Sequence, residues 1–369
     1  MQVPFLNLQP VTQQIKGEYL KAVEKLLDGG SFILTQEVKD FEQAWATTIG
    51  SKFCLGISSG SDSLYLALRA LDITAGDEVI TQGNAYNASV ASILRAGAVP
   101  KFVDIYPDSL TIDVLKIEPL INEKTKAIMP VHLYGQTGNM EALMAIAKKY
   151  NLRVIEDCAQ AHLAQFKSKY AGTFGDIGIF SFYPTKNLGA FGDAGAVITD
   201  SPEIKARVEA LRNLGETAKN HHEFLGFNMR LDPIQAIGLS LKLKYLGENT
   251  QARQKACDYY DKLIGQAGLT ITPVKTLDQA VNVRHLYIVK VEGFNRDALR
   301  EDLSKLGVQT AIHYPLPVYR QPFYQGPLGD CPNSDAAANQ VLSLPLFVGI
   351  TRRQQDYVVE CLTKVISQK

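Results

Sequence analysis

Between about residue 50 and residue 200 the chain alternates short apolar runs with amphipathic stretches, and this alternation narrows its folds more than any other feature. "DEVIT" (77–81), "KFVDI" (101–105), "KAIMPVH" (126–132), "LRVIED" (152–157), "IGIFSF" (177–182) and "GAVIT" (195–199) read as strands. Between them, Leu64, Ala67, Leu68 and Leu71 fall at helical spacing, as do Leu143, Ile146, Ala147 and Tyr150, and "ASVASILRAG" (88–97) reads as a helix closed by Gly97. Strands that alternate with helices predict an α/β fold: a mainly parallel sheet with helices on both faces. Ligands of such sheets sit at the carboxyl ends of the strands.

After about residue 230 the texture changes. One long helical stretch is expected over 233–264, a strand at "RHLYIVKV" (284–291), and helices at 295–307 and 351–366. This predicts a large α/β domain over 1–245, including the N-terminal segment, and a smaller α+β domain over 246–369. The chain has 369 residues and is 46% hydrophobic, enough for a sizeable core. Lys+Arg and Asp+Glu both number 38, which argues against a nucleic acid or an anionic membrane held by bulk charge. The five cysteines are scattered and form no CxxC, which suits a reducing cytoplasm and gives no metal site. "MQVPFLNLQP" lacks the basic and apolar regions of a signal peptide, and no apolar run is long enough to span a bilayer.

Four features fall at strand ends or loops. "SSGSDSL" (58–64) opens a helix at about Ser61, and helix N-termini bind phosphate through free N–H groups and the dipole. Taken alone it reads as an ordinary N-cap. Asp157 ends an apolar strand in "VIEDCAQAH" (154–162), with Gln160 one turn on. A carboxylate there either caps the next segment or keeps a pyridine-type nitrogen protonated. Lys186 follows Ser181 in the glycine-punctuated "FSFYPTKNLGAFGDAG" (180–195). A lone loop lysine is usually solvated, but one sheltered from water has a lowered pKa and can attack a carbonyl. "GFNMRLD" (226–232) and "IHYP" (312–315) add polar and aromatic groups suited to phosphate or sugar. Taken in order, an anion site, a partner for a ring nitrogen and an amine suit one cofactor, pyridoxal phosphate.

At these residues the chain resembles the sugar aminotransferases of the DegT/DnrJ/EryC1/StrS group, within the aspartate-aminotransferase fold type (fold type I) of pyridoxal phosphate enzymes. The resemblance runs from "VPFLNL" (3–8) through "GSFILTQEVKDFE", "SSGSDSLYLALRAL", "AIMPVHLYGQTGNM", "VIEDCAQAH", "FGDIGIFSFYPTKNLGAFGDAGAV", "GFNMRLDPIQA" and "IHYPLP" to "LSLPLF" (342–347). It implies a seven-stranded sheet, pyridoxal 5′-phosphate as cofactor, L-glutamate and a nucleotide-linked ketosugar as substrates, and a homodimer with active sites at the interface. Lys186 matches the lysine that binds the cofactor and shuttles the proton, Asp157 the acid paired with the ring nitrogen, and Gln160 the residue near the phenolic oxygen. Gly60, Ser61 and Ser181 match the phosphate binders. Tyr86 matches the aromatic stacked on the ring. Asn228 matches an asparagine that reaches the neighbouring subunit's phosphate. Tyr183, His313 and Tyr314 match positions bordering the sugar pocket.

The loop "QGNAYNAS" (82–89) differs from the common "PAFTFVAT"-like version. Its Asn84 and Tyr86 resemble members that aminate C3 of a deoxysugar, although Asn87 stands where those carry an aliphatic residue. The reading is therefore a transaminase acting on a dTDP-linked 3-keto-6-deoxyhexose, with 4-keto amination as the alternative and a non-catalytic, cofactor-binding regulator as a more distant one. A cysteine desulfurase would need a reactive loop cysteine, and only Cys331 in "GDCPNSD" looks exposed.

Overall fold

A computed structural model describes residues 1–367. Helices α1 (Gln9–Gly29) and α2 (Gln36–Ile49) precede the main sheet. The sheet has seven strands: β1 (Phe53–Ile57), β2 (Glu78–Gln82), β3 (Val99–Val103), β4 (Thr125–Met129), β5 (Arg153–Asp157), β6 (Ile177–Ser181) and β7 (Gly195–Thr199). Their order is β1-β7-β6-β5-β4-β2-β3, and only β7 runs antiparallel to its neighbours. The mainly parallel sheet is as the alternation predicts. The strands are apolar on both faces because helices cover both. On one face lie α3 (Gly60–Ala70), α4 (Asn87–Arg95) and α6 (Pro202–Arg212). On the other, Met140 and Leu143 of α5 (Met140–Lys149) pack with Ile128 and Val154, and Phe41 and Trp45 of α2 pack with Phe180 and Phe182 at the end of β6. Both α2 aromatics are fully buried, and truncating such a side chain to alanine costs about 3–5 kcal/mol.

The stretch expected as one helix over 233–264 is two, α7 (Pro233–Leu243) and α8 (Leu246–Ala267). The chain tightens at the join, where Tyr245 N–H bonds to Lys242 O, three residues back, and neither Gly nor Pro marks the break. Beyond α8, β8 (Ile271–Pro273), β9 (Tyr287–Val291) and β10 (Val341–Leu344) form an antiparallel sheet. Helices α9 (Arg296–Lys305), α10 (Pro332–Gln340) and α11 (Arg352–Ile366) complete this half. Its core joins Tyr260, Tyr287, Leu303, Leu342 and Leu362. Val3 packs in this core and bridges in parallel to Val308, so the first residues cross to it from the start of the chain.

Three expected strand ends shift by two or three residues: β3 starts at Val99 and not Lys101, β4 ends at Met129 before Pro130 and not at His132, and β9 starts at Tyr287 and not Arg284. Among the described residues, no helix is long and apolar enough to cross a membrane.

Candidate active site

The carboxyl ends of β1, β5 and β6 open into one cavity of about 370 Å³, within the range of small-molecule sites. Ser59, Gly60, Ser61, Tyr86, Asp157, Gln160, Ser181, Tyr183, Lys186, His313 and Tyr314 all line it. Ten of the eleven residues singled out in the sequence are therefore brought together. The eleventh, Asn228, is exposed and bridges Asn213, away from the cavity of its own chain.

One end of the cavity is built for an anion. Ser59 caps α3, its Oγ accepting from Asp62 N–H at 3.1 Å. The first N–H groups of α3 then face the cavity at the helix's positive end. Gly60 is required by packing: a Cβ there would lie 2.5 Å from Ser181 Cβ. Gly195 is held as tightly, since its Cβ would meet the Ser59 carbonyl carbon at 2.5 Å. The hydroxyl of Ser181 is thereby pressed against the helix N-terminus.

Asp157 is 4% exposed at the end of β5. Ser89 Oγ donates to its Oδ2 at 2.8 Å and Ala159 N–H to its Oδ1 at 3.1 Å. Burial pushes its carboxyl up, and those two hydrogen bonds and the charge of Lys186 oppose the shift. A cationic ring nitrogen beside it would add the counter-charge that burial denies. Gln160 Oε1 accepts from Tyr134 N–H at 2.7 Å and its Nε2 donates to Tyr314 Oη at 3.1 Å, which fixes the amide. The Tyr86 and Tyr314 rings lie 5.1 Å apart between centroids.

Lys186 follows a turn in which its N–H bonds to Tyr183 O at 2.8 Å. Burial pulls its ammonium down to about 8, with Asp157 opposing. Three histidines near it stay neutral for the same reason. Burial, then the Lys186 charge, takes His313 to about 4, His162 to about 3 and His285 well below its usual range.

The sequence reading missed Ser59, Ser89 and His285. His285 lines the cavity, and its tautomer follows from its neighbour. Asn187 Nδ2 donates to Val283 O at 3.0 Å, so Asn187 Oδ1 accepts from His285 Nδ1 at 3.0 Å. His285 Nε2 is left as an acceptor. Of the loop pair Asn84 and Tyr86, Asn84 is buried, donating to Leu110 O at 3.0 Å and accepting from Gln82, and Tyr86 lines the cavity. Cys331 is a correction. It is 1% exposed at the start of α10, and burial pushes its thiol up to about 12.

His132, Glu156 and Cys158 converge beneath the site. Both Glu156 oxygens are already engaged, by His132 Nε2 and the amides of Gly172, Phe174 and Gly175 at 2.7–2.9 Å. The cluster ties down the loop before β6.

A glycine-tight helix N-terminus, a buried aspartate and a sheltered lysine, at the strand ends of this sheet, define a pyridoxal phosphate enzyme of fold type I. Residues 13–363 match the DegT/DnrJ/EryC1/StrS aminotransferase family, and the chain belongs to it. It is 43% identical over 363 residues to a dTDP-3-amino-3,6-dideoxy-alpha-D-galactopyranose transaminase of Aneurinibacillus thermoaerophilus, covering 98% of this chain and 99% of that one. It is 41% identical over 365 residues to a pleiotropic regulatory protein of Geobacillus stearothermophilus, covering 98% and 97%. The solved structure of DesV from S. venezuelae in complex with a ketimine intermediate superposes with a TM-score of 0.95 at 37% identity, covering 99% of this chain and 98% of that one. The protein is an aminotransferase, and its cofactor is pyridoxal phosphate.

Proposed function

We propose that the enzyme moves an amino group from L-glutamate to a nucleotide-linked keto-deoxysugar, a 3-keto-6-deoxyhexose on dTDP. The observation that carries the reading is the single cavity joining Lys186, Asp157 and the Ser59–Ser61 turn. The similarity to a transaminase named for a 3-amino-3,6-dideoxy sugar on dTDP favours C3 over C4. The regulator reading has the name of the Geobacillus stearothermophilus relative in its favour; the Lys186 and Asp157 pair speaks for turnover.

The residues present fit the cofactor. The Gly60–Ser61 turn and Ser181 would hold its phosphate, Asp157 its ring nitrogen, Tyr86 its ring face and Lys186 its aldehyde carbon. When bound, pyridoxal phosphate supplies an aldehyde to capture amines and a ring that accepts an electron pair. The chain does the rest. Lys186 Nζ, pulled down to about 8, carries a neutral fraction near neutral pH and can take the proton from the donor's α-carbon. The same amine, once protonated, holds that proton and can give it back. Ser89 and Ala159 favour the charged form of Asp157 against burial, and that carboxylate would hold a proton on the cofactor's ring nitrogen. Neutral His313, His285 and His162 leave Lys186 as the proton carrier. The exposed Tyr86 and Tyr183 rim the open side, where the sugar nucleotide enters.

A homodimer completes this reading. Phe32, Ile33, Leu214 and Leu225 are exposed apolar side chains, and the exposed Asn228 lies three residues beyond Leu225. There it can serve a partner's cavity.

The test is the absorption spectrum before and after L-glutamate. A yellow band that gives way to the near-ultraviolet band of the aminated cofactor supports cofactor, Lys186 and donor together. A yellow protein that ignores glutamate overturns the donor. A panel of 3-keto and 4-keto sugar nucleotides then decides the position.

A further inference from the structure

A second cavity, of about 190 Å³, also has Lys186 in its wall. One water occupies about 30 Å³ of the liquid, so a small organic group fits there. Its wall combines the start of α1 (Asn7, Leu8, Val11, Thr12), the loop after Lys186, Val348, and two cations, Lys242 of α7 and Arg253 of α8.

Lys242 is 7% exposed and Arg253 is 6% exposed. Among the described residues, no carboxylate lies within ion-pair distance of either. Lys242 Nζ donates to Gly189 O at 2.6 Å and sits 3.9 Å from the Phe191 ring centroid. Arg253 Nη1 donates to His285 O at 3.3 Å. These contacts use one donor of three and one of five. Buried charges are ordinarily paired, and carbonyl dipoles do not supply a counter-charge. Burial pulls Lys242 down to about 8 and Arg253 to about 10, the mark of positive charge without an anion.

A third positive element points the same way. Helix α1 is 21 residues long and starts at this wall, and its N-cap, Leu8, offers no side-chain acceptor. Asn7 Oδ1 takes the Gln9 N–H at 2.9 Å, and the positive end of the helix dipole remains. Two unpaired buried cations and a helix N-terminus thus converge on a cavity that Lys186 shares with the main site.

We propose that this cavity is the carboxylate subsite for the amino donor, with Lys242 and Arg253 binding the α-carboxylate. The location follows from the proton transfer. Lys186 must reach the α-carbon, and the α-carboxylate is one bond from it. A carboxylate in the smaller cavity therefore sets the α-carbon beside Lys186. The sugar substrate has no such group and uses the larger cavity alone. The subsite deepens the reading of an amino-acid donor and depends on it for its occupant.

The test uses holoenzyme and glutarate, a five-carbon dicarboxylate with no amine or carbonyl to react. Its affinity is measured by calorimetry for wild type, Lys242→Met, Arg253→Met and Arg253→Lys, each checked for fold by circular dichroism and melting. Lys242→Met keeps the alkyl stem and removes the charge. If Arg253→Met fails to fold, Lys242→Met and Arg253→Lys still decide. Losing one of two buried charge-assisted partners should weaken glutarate by about 30-fold or more, with partial recovery in Arg253→Lys. In the half-reactions read from the cofactor band, the loss should fall on the KM for glutamate by at least about tenfold more than on the amino sugar. Wild type that does not bind glutarate, or folded variants that bind it undiminished, would overturn the subsite. If glutarate binding depends on Lys242 and Arg253 while glutamate leaves the wild-type band unchanged, the subsite stands and the donor reading fails.

Discussion

Ser89 Oγ donates to Asp157 Oδ2 at 2.8 Å, joining the first turn of α4 to the end of β5. Both groups are buried, so the bond is not diluted by water. It favours the charged carboxylate over the neutral one. Ser89→Ala should raise the Asp157 pKa beyond its already raised position, because a bond to the ionised form is lost. Asp157 then protonates at a higher pH than in wild type, and the acid limb of the glutamate half-reaction moves up. A lost hydrogen bond to a buried charge costs about 1.5–3 kcal/mol, so the limb should shift by about one pH unit or more. Ser89→Thr keeps the hydroxyl and should restore the limb. An acid limb that stays in place in Ser89→Ala would show that Ser89 does not hold Asp157 charged.

Gly60 and Ser181 meet across the start of α3 with no room for a methyl group. Gly60→Ala should push the helix N-terminus off Ser181 and weaken retention of pyridoxal phosphate by about tenfold or more, one lost charge-assisted bond being worth about 1.5–3 kcal/mol. Gly17, inside α1, has nothing within 4 Å of its would-be Cβ. Gly17→Ala should therefore be neutral or stabilising by about 0.5–1 kcal/mol. The measurement is cofactor dissociation on dialysis, followed by absorbance. Equal retention in both variants would remove the phosphate role from this turn.

The order of these elements along the chain made much of the site legible. Apolar runs ending in Ser58, Asp157 and Phe182 mark strand ends, and a parallel sheet gathers such ends on one edge. What escaped was set by distant partners. Ser89 looks like any small helical residue until Asp157, 68 positions on, lies against it. His285 reads as the start of a strand, and Arg253 as one more charge on an amphipathic helix. Nothing local says that no carboxylate will come near Arg253. Asn84 shows the same dependence on distant partners, since its amide is spent on Leu110 O and Gln82. The α7–α8 join was invisible because Lys244 and Tyr245 carry no breaker chemistry.

Lys186 makes stability depend on pH in the apoprotein. Its pKa is about 8 folded against about 10.5 unfolded, so the unfolded chain binds more protons between these values. Stability must then rise with pH from about 8 to 10.5. Lys186→Met removes this term and keeps the stem. The variant apoprotein should be more stable than wild type at pH 7, by at most about 3 kcal/mol for a shift of this size. The gap should close as pH rises through 8 to 10.5. Urea midpoints at pH 7 and pH 10 give the comparison. A gap that does not change with pH would mean that Lys186 is charged and at ease in the apo site.

All five cysteines are free and buried, including Cys331, whose place in a polar loop suggested access. With the thiol pushed up to about 12, roughly one molecule in ten thousand carries a Cys331 thiolate at pH 8. Attack on a thiol reagent needs both thiolate and an approach, and the fold denies each. Native protein should release almost no thionitrobenzoate from Ellman's reagent over minutes at pH 8, and five equivalents per chain after unfolding in urea. One rapid equivalent that disappears in Cys331→Ser would instead reveal a mobile, nucleophilic Cys331. It would reopen the desulfurase reading, since sulfur abstraction needs such a thiol near the cofactor. A silent native protein leaves Lys186 as the reactive group of the site, and a lysine serves amino transfer.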